Sequence, residues 1–206
     1  GKHAVNRSID VAGNASRSSN MESSSLIFET RRNIAQFFRL SDFQRFNLNG
    51  GNTESLNTCI KGILKEKDHV ITTYAEHNSV LRPLYELEEK GIITLTICAP
   101  YLEDIKNHIQ KNTRMVIMTH SSNVTGEIFD VDLIGQYCKE CGVLFMVDAA
   151  QSAGHIPVSM ENIDVLCFSG HKGLLGIGGI GGFCVKDMEV KQLLSGGKGI
   201  AYFNPQ

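Results

Sequence analysis

The chain is punctuated by short runs of apolar, largely β-branched residues that are continuous rather than alternating, and these runs constrain its fold most. They cover residues 69–73 (HVITT), 92–97 (IITLTI), 115–119 (MVIMT), 143–147 (VLFMV) and 164–168 (DVLCF). A strand with one face in water alternates apolar and polar side chains, whereas a continuous run belongs to a strand covered on both faces. The segments between the runs have helical spacing. Residues 21–38 carry Leu26, Ile27, Ile34, Phe37 and Phe38, and residues 53–64 carry Leu56, Ile60, Ile63 and Leu64. Residues 80–90, 102–110 and 131–141 look similar, the last framed by Asp130 as an N-cap and Gly142 as the C′ residue. Strands and helices in alternation specify an α/β layer structure with a mostly parallel central sheet. Shorter runs at Phe46-Asn-Leu48 and Phe183-Cys-Val185 read as further strands, and Pro83, Pro100, Pro157 and Pro205 are expected at element edges or in loops.

No low-complexity tract, internal repeat or Pro/Gly linker divides the 206 residues, so one domain is expected. Apolar residues at 42% suffice for a packed core. The 20 Lys and Arg against 22 Asp and Glu leave a net charge of −2, without the basic surplus that a nucleic-acid partner requires. The longest uncharged stretch, 173–185, is glycine-rich and shorter than the ~20 apolar residues of a membrane helix, so no membrane partner is expected. The opening GKHAVNRSIDVAGNAS lacks an apolar secretory segment, which makes a soluble, cytoplasmic protein the expectation. The six cysteines are scattered through a chain too large to need disulfide staples. Only Cys138 and Cys141 are close. Zinc takes four ligands and no second pair follows, so this pair is expected to be structural, with one member facing the core, and no metal is expected.

In open α/β sheets, ligands gather at the carboxyl ends of the strands. Five polar loops leave such ends: Asn49-Gly-Gly-Asn-Thr-Glu-Ser55, Thr73-Tyr-Ala-Glu-His-Asn78, His120-Ser-Ser-Asn-Val-Thr-Gly126, Asp148-Ala-Ala-Gln151 and Ser169-Gly-His-Lys172. Their convergence on one site is the expectation. The two glycines before Asn52 allow backbone N–H groups to turn toward a phosphate, with the Thr53 hydroxyl as a further donor; the plainer alternative is a tight turn with Thr53 as the helix N-cap. Asp148 is either a loop acid or the partner of a buried cation, as in the aspartate–pyridinium contact of pyridoxal phosphate (PLP) enzymes, and Gln151 is within reach of the same ligand. Lys172 is either a surface lysine or a Schiff-base lysine. His77 either begins a helix or stacks on a planar cofactor and moves protons. Asn123 either turns the chain before Gly126 or holds a carboxylate or ring hydroxyl. Gly176-Ile-Gly-Gly-Ile-Gly181 matches the dinucleotide pattern GxGxxG, but it runs into a strand where that fingerprint needs a helix start, so no dinucleotide is expected.

Taken in order, GGNTES, AEHNS, SSNVTGE, VDAAQSAGHIPV, FSGHKGLLGIGGIGG and LLSGGKG resemble the class V aminotransferase family of fold-type I PLP enzymes, and within it the cysteine desulfurases. The resemblance runs from Gly13-Asn-Ala-Ser-Arg17 to Gly199. It implies a three-layer α/β/α large domain with PLP on Lys172, Asp148 paired with the pyridine nitrogen and Gln151 on the ring hydroxyl. It places His77 over the ring. Thr53, Ser169, His171 and the backbone of Asn52 would hold the phosphate, and Asn123 would face the substrate carboxylate or the ring hydroxyl. The implied reaction removes sulfur from L-cysteine, leaving alanine and an enzyme persulfide, in a homodimer that serves a sulfur-acceptor protein. A class V aminotransferase, another PLP-dependent lyase or a truncated domain without turnover are the alternatives. By the same resemblance, residues 1–206 are the large PLP-binding domain of a longer chain. The N-terminal segment, the small C-terminal domain, its carboxylate-binding arginine and the persulfide cysteine would lie outside it. In Gly196-Gly-Lys-Gly199, Lys198 stands where the family more often has a threonine that reaches the neighbouring subunit's phosphate.

Overall fold

The computed structural model describes residues 21–40, 42, 45–174 and 180–186. Residues 13–17, most of the glycine run 176–181, the segment 196–199 with Lys198, and Pro205 lie outside the described residues. The elements are α1 (Met21–Phe37), β1 (Phe46–Asn49), α2 (Asn52–Ile63), β2 (Asp68–Thr73), α3 (Asn78–Glu89), β3 (Ile93–Cys98), α4 (Leu102–His108), β4 (Thr113–Thr119), α5 (Val131–Cys141), β5 (Leu144–Asp148), β6 (Val165–Ser169) and β7 (Gly181–Val185). They form one seven-stranded sheet in the order β1-β7-β6-β5-β4-β2-β3. β2 to β6 pair in parallel with their neighbours and with β3, while β7 runs antiparallel to both β6 and β1. β1 therefore points the same way as the parallel strands, and its end joins theirs.

The continuous apolar runs have the predicted cause. In β4, Val116 and Met118 enter one core and Met115 and Ile117 the other. α1, α4 and α5 supply Ile34, Ile105, Ile134 and Cys138 to the first core; α2 and α3 supply Leu56, Ile60, Val80 and Leu84 to the second. This gives three layers, α/β/α. Phe38, Phe46 and Phe168 pack ring against ring at 5.2 and 5.3 Å, joining the end of α1 to β1 and β6. Burying each such ring contributes roughly 1.5–3 kcal/mol. Phe37, on the same helix, is 48% exposed and lies outside that core.

α5 is capped as its sequence indicates: Asp130 accepts a hydrogen bond from the Leu133 N–H at 3.0 Å, and Gly142 closes the helix at φ 69°. One expectation fails at Pro83, which lies inside α3 rather than at an edge. Its ring is buried with Val80 and Leu84, so packing outweighs the single backbone hydrogen bond that proline removes. Among the described residues, no helix is long and apolar enough to cross a membrane.

The antiparallel β7 has a specific task. Gly181 pairs with Asn49 and with Ser169, and so lies between two strand ends. A methyl group on it would sit 2.6 Å from the Gly51 carbonyl carbon and 2.7 Å from the Asn52 nitrogen, both backbone atoms that cannot swing aside. Gly181→Ala is therefore expected to lower stability by about 1–3 kcal/mol, read as an earlier urea midpoint. An unchanged midpoint would contradict the close approach of β7 to the turn before α2.

Candidate active site

The ends of β1, β2, β4, β5 and β6 lie along one edge of the sheet, and the loops leaving them line a pocket of about 380 Å³. That volume is in the range of small-molecule sites. The first wall is the turn from β1 into α2. Gly51 is the N-cap at φ 142°, and no side chain caps the helix. The Gly50 N–H is taken by Glu54 Oε2 at 2.8 Å and the Gly51 N–H by Asn49 Oδ1 at 3.1 Å. Among the described residues, no hydrogen bond takes the N–H groups of Asn52, Thr53 and Glu54. Open amides at the positive end of a helix form an anion site. Thr53 is in the first turn of α2, not its N-cap, so its hydroxyl does not cap this helix.

Asp148 ends β5, whose preceding residues 145–147 are fully buried, and is itself 4% exposed. Its Oδ1 accepts from Asn52 Nδ2 at 3.0 Å and from the Ala150 N–H at 2.9 Å. Burial pushes its carboxyl above the usual range, against the pull of those two donors and of the Lys172 and His77 charges. Asn52 thus uses its side chain on Asp148, while its Oδ1 is buried without a partner. A buried carboxylate whose hydrogen-bonding neighbours are neutral is stabilised by a cation placed beside it.

The exit of β6 brings Ser169, His171 and Lys172 to the same pocket. Ser169 Oγ and His171 Nδ1 are 3.1 Å apart. Lys172 makes no hydrogen bond or ion pair among the described residues, although it acts electrostatically on Asp148. The loop is held by a glycine contact. A methyl group on Gly154 (φ 86°) would meet the Gly173 carbonyl carbon at 2.3 Å. The chain leaving Asp148 and the chain leaving Lys172 can therefore pass backbone to backbone.

His77 begins the helix, as its plainer alternative has it, and also lines the pocket. It caps α3, with Nδ1 accepting from the Ser79 N–H at 3.1 Å, and its exposed ring lines the pocket. In the neutral ring the proton then sits on Nε2, the atom left to exchange with a ligand. Asn123 and Gln151 also line the pocket. Asn123 lies in a turn in which Ser122 Oγ accepts from the Val124 and Thr125 N–H groups, closed by Gly126 at φ 73°. All nine candidate residues, Asn52, Thr53, His77, Asn123, Asp148, Gln151, Ser169, His171 and Lys172, thus share one pocket.

Reading the sequence for polar loops passed over Glu76. It is 8% exposed, and its Oε1 accepts from Thr73 Oγ1 at 2.7 Å and from the Thr119 N–H at 2.8 Å. Its Oε2 is buried without a partner. Burial first, and Asp148 to a lesser degree, push this carboxyl up to about 8. The rule that singled out Asp148, an acid just beyond a buried strand, would have found it. The cysteines stand apart from the site. Cys59, Cys98, Cys138, Cys167 and Cys184 are buried, Cys141 is exposed, and none lines the pocket. Burial pushes the Cys98 thiol up to about 11 and the Cys138 thiol up to about 12.

A family model, aminotransferase class-V, matches residues 3–205. The chain is 34% identical over 195 residues to the cysteine desulfurase IscS of Plasmodium falciparum (isolate 3D7), covering 85% of this chain and 35% of that protein. It is 38% identical over 167 residues to IscS of Buchnera aphidicola subsp. Acyrthosiphon pisum (strain 5A), covering 75% and 41%. The solved structure of SspA in complex with cysteine matches at a TM-score of 0.80 and 29% identity, over 88% of this chain and 56% of that one. The apo structure of the cysteine desulfurase from Thermococcus onnurineus NA1 matches at 0.75 and 30% identity, over 87% and 50%. The chain therefore spans less than half the length of these two curated relatives. A match that runs through nearly all 206 residues, including every loop of the pocket, establishes that the chain belongs to the class V aminotransferase family, whose members use pyridoxal 5'-phosphate.

Proposed function

We propose that this chain is the PLP-binding part of a cysteine desulfurase, which moves the sulfur of L-cysteine to a protein thiol as a persulfide and leaves alanine. The observation that carries this reading is the pocket's arrangement of charge: open helix amides, a buried carboxylate and a lysine amine, each on a different loop. These residues fit PLP, which has an anionic phosphate, a basic ring nitrogen and an aldehyde. When bound, PLP supplies an electron sink for charge left at the substrate α-carbon.

The chain's own residues divide the remaining work. The Asn52 and Thr53 amides, the Thr53 hydroxyl, Ser169 and His171 hold the phosphate. Asp148 keeps the ring nitrogen protonated, because an ion pair relieves the cost of its own burial. Gln151 orients the ring through its hydroxyl, and Asn123 faces the substrate carboxylate or that hydroxyl. Lys172 offers its amine as the covalent attachment point and as a proton carrier at the α-carbon. His77, fixed by its bond to Ser79, presents Nε2 to the ring and substrate. None of the six cysteines lines the pocket, so the sulfur-accepting thiol is not one of the pocket's own side chains. A homodimer and a separate acceptor protein complete the proposal.

Two predictions test it. With PLP, the protein is expected to show the visible absorbance of a lysine-bound cofactor, and to release alanine from L-cysteine, with sulfur recovered as sulfide under a reductant. Lys172→Ala should abolish both. A band that survives the substitution, or amino transfer to a keto acid in place of alanine release, would contradict the reading. The second prediction concerns Asp148, whose folded carboxyl lies above its unfolded value. Its contribution to folding is complete below the ordinary carboxylate value and is lost as pH rises through the folded one. Ligand-free Asp148→Asn should therefore resist urea better than wild type at alkaline pH, and equally well at acid pH. It should also bind PLP roughly 100-fold or more weakly, the effect of breaking a buried ion pair. Equal pH dependence in the two proteins, or equal affinity, would contradict the role given to Asp148.

A further inference from the structure

The loop from β2 to α3 carries His77 to the pocket, yet His77 is exposed, and among the described residues its side chain bonds only to Ser79 of its own helix. Besides the Tyr74 N–H bond to the Cys98 carbonyl at the end of β3, the loop is tied to the sheet by the side chain of the residue before His77. Glu76 turns inward behind the pocket and takes two hydrogen bonds on one oxygen, from Thr73 Oγ1 at the end of β2 and from the Thr119 N–H at the end of β4. Thr119 is in turn the register partner of Asp148, and its hydroxyl reaches the Ser121 carbonyl at 2.9 Å and the Asp148 carbonyl at 3.4 Å. We propose that Glu76 is a positioning residue, whose buried side chain ties the loop bearing His77 to the end of β4 and so sets where His77 stands over the site.

The contacts fix the form in which Glu76 can act. Its second oxygen, Oε2, is buried with no partner to share a charge. Thr73 and Thr119 are neutral, and Asp148, at the end of β5, is the titratable group whose charge acts on it. A neutral carboxyl is tolerated there; a carboxylate has no cation, loses its water and faces a second carboxylate. The side chain therefore holds its proton at neutral pH, consistent with a carboxyl pushed up to about 8. Above that value the ionised group gains by turning toward water, and the tie to β4 weakens. Glutamine has the same shape, accepts the same two hydrogen bonds and cannot ionise.

This inference rests on the reading of His77 as the residue over the PLP ring, but one arm of its test needs no PLP. In the ligand-free Asp148→Asn protein, where Asp148 cannot titrate, the 15N–1H resonance of Thr119 is expected to shift with a midpoint well above the ordinary carboxylate range, and to stay flat when Glu76→Gln is added. A midpoint in the ordinary carboxylate range, or a titration that persists with Glu76→Gln added, would overturn the proposal. In the second arm, PLP affinity is compared by absorbance. The ratio of Glu76→Gln to wild-type affinity should be about one at pH 7 and rise severalfold at pH 9. Glu76→Ala should bind roughly tenfold more weakly at pH 7, with no further loss when combined with His77→Ala, because the two residues act as one unit. Wild-type affinity in Glu76→Ala, or losses that simply add in the double variant, would overturn it. If wild type binds no PLP, the functional reading fails, and the Thr119 titration still decides whether Glu76 is the tie to β4.

Discussion

Asp148 places a carboxylate where the fold offers it almost no water, and much of the site is arranged around that cost. The strand that delivers it is covered on both faces, so the acid cannot move outward without moving the sheet. Its two hydrogen-bond donors, Asn52 and the Ala150 amide, stabilise the charge without neutralising it. The bond from Asn52 also links the end of β5 to the first residue of α2, and so connects the carboxylate to the anion site at that helix's N-terminus. Glu76, the other buried acid nearby, escapes the same problem by staying protonated.

The resulting polarity suits a ligand with charge at both ends. Open helix amides, a buried carboxylate and a lysine amine line the same pocket. The backbone sets their separations. β7 lies against the turn before α2 through Gly181, and the Gly154–Gly173 contact sets how closely the lysine loop approaches the aspartate loop. A side chain at either contact would push a site-bearing loop away from its partner. The glycines help determine where the charged groups of the pocket stand.

Much of the fold was legible in the sequence because doubly buried strands leave a continuous apolar signal, and six of the seven strands run as a parallel set would. The direction of β7 was not, since Gly181-Gly-Phe-Cys-Val185 reads as a strand with no sign of its partners. Pro83 was misread because propensity cannot anticipate that a proline ring is worth burying under α3. The site residues could be collected because polar residues after buried strands converge at one sheet edge. Side-chain partners were harder to foresee. Asn52 was expected to act through its backbone, and its side chain also binds Asp148; Glu76 is connected to Thr119, 43 positions away in the chain.

In the proposed function, Asp148 holds a protonated ring nitrogen. Nitrogen-15 NMR of PLP labelled at the ring nitrogen, bound to wild type and to Asp148→Asn, tests this directly. A protonated nitrogen at mildly alkaline pH in wild type and an unprotonated one in the variant are expected. An unprotonated nitrogen in wild type, or protonation that survives the substitution, would contradict it.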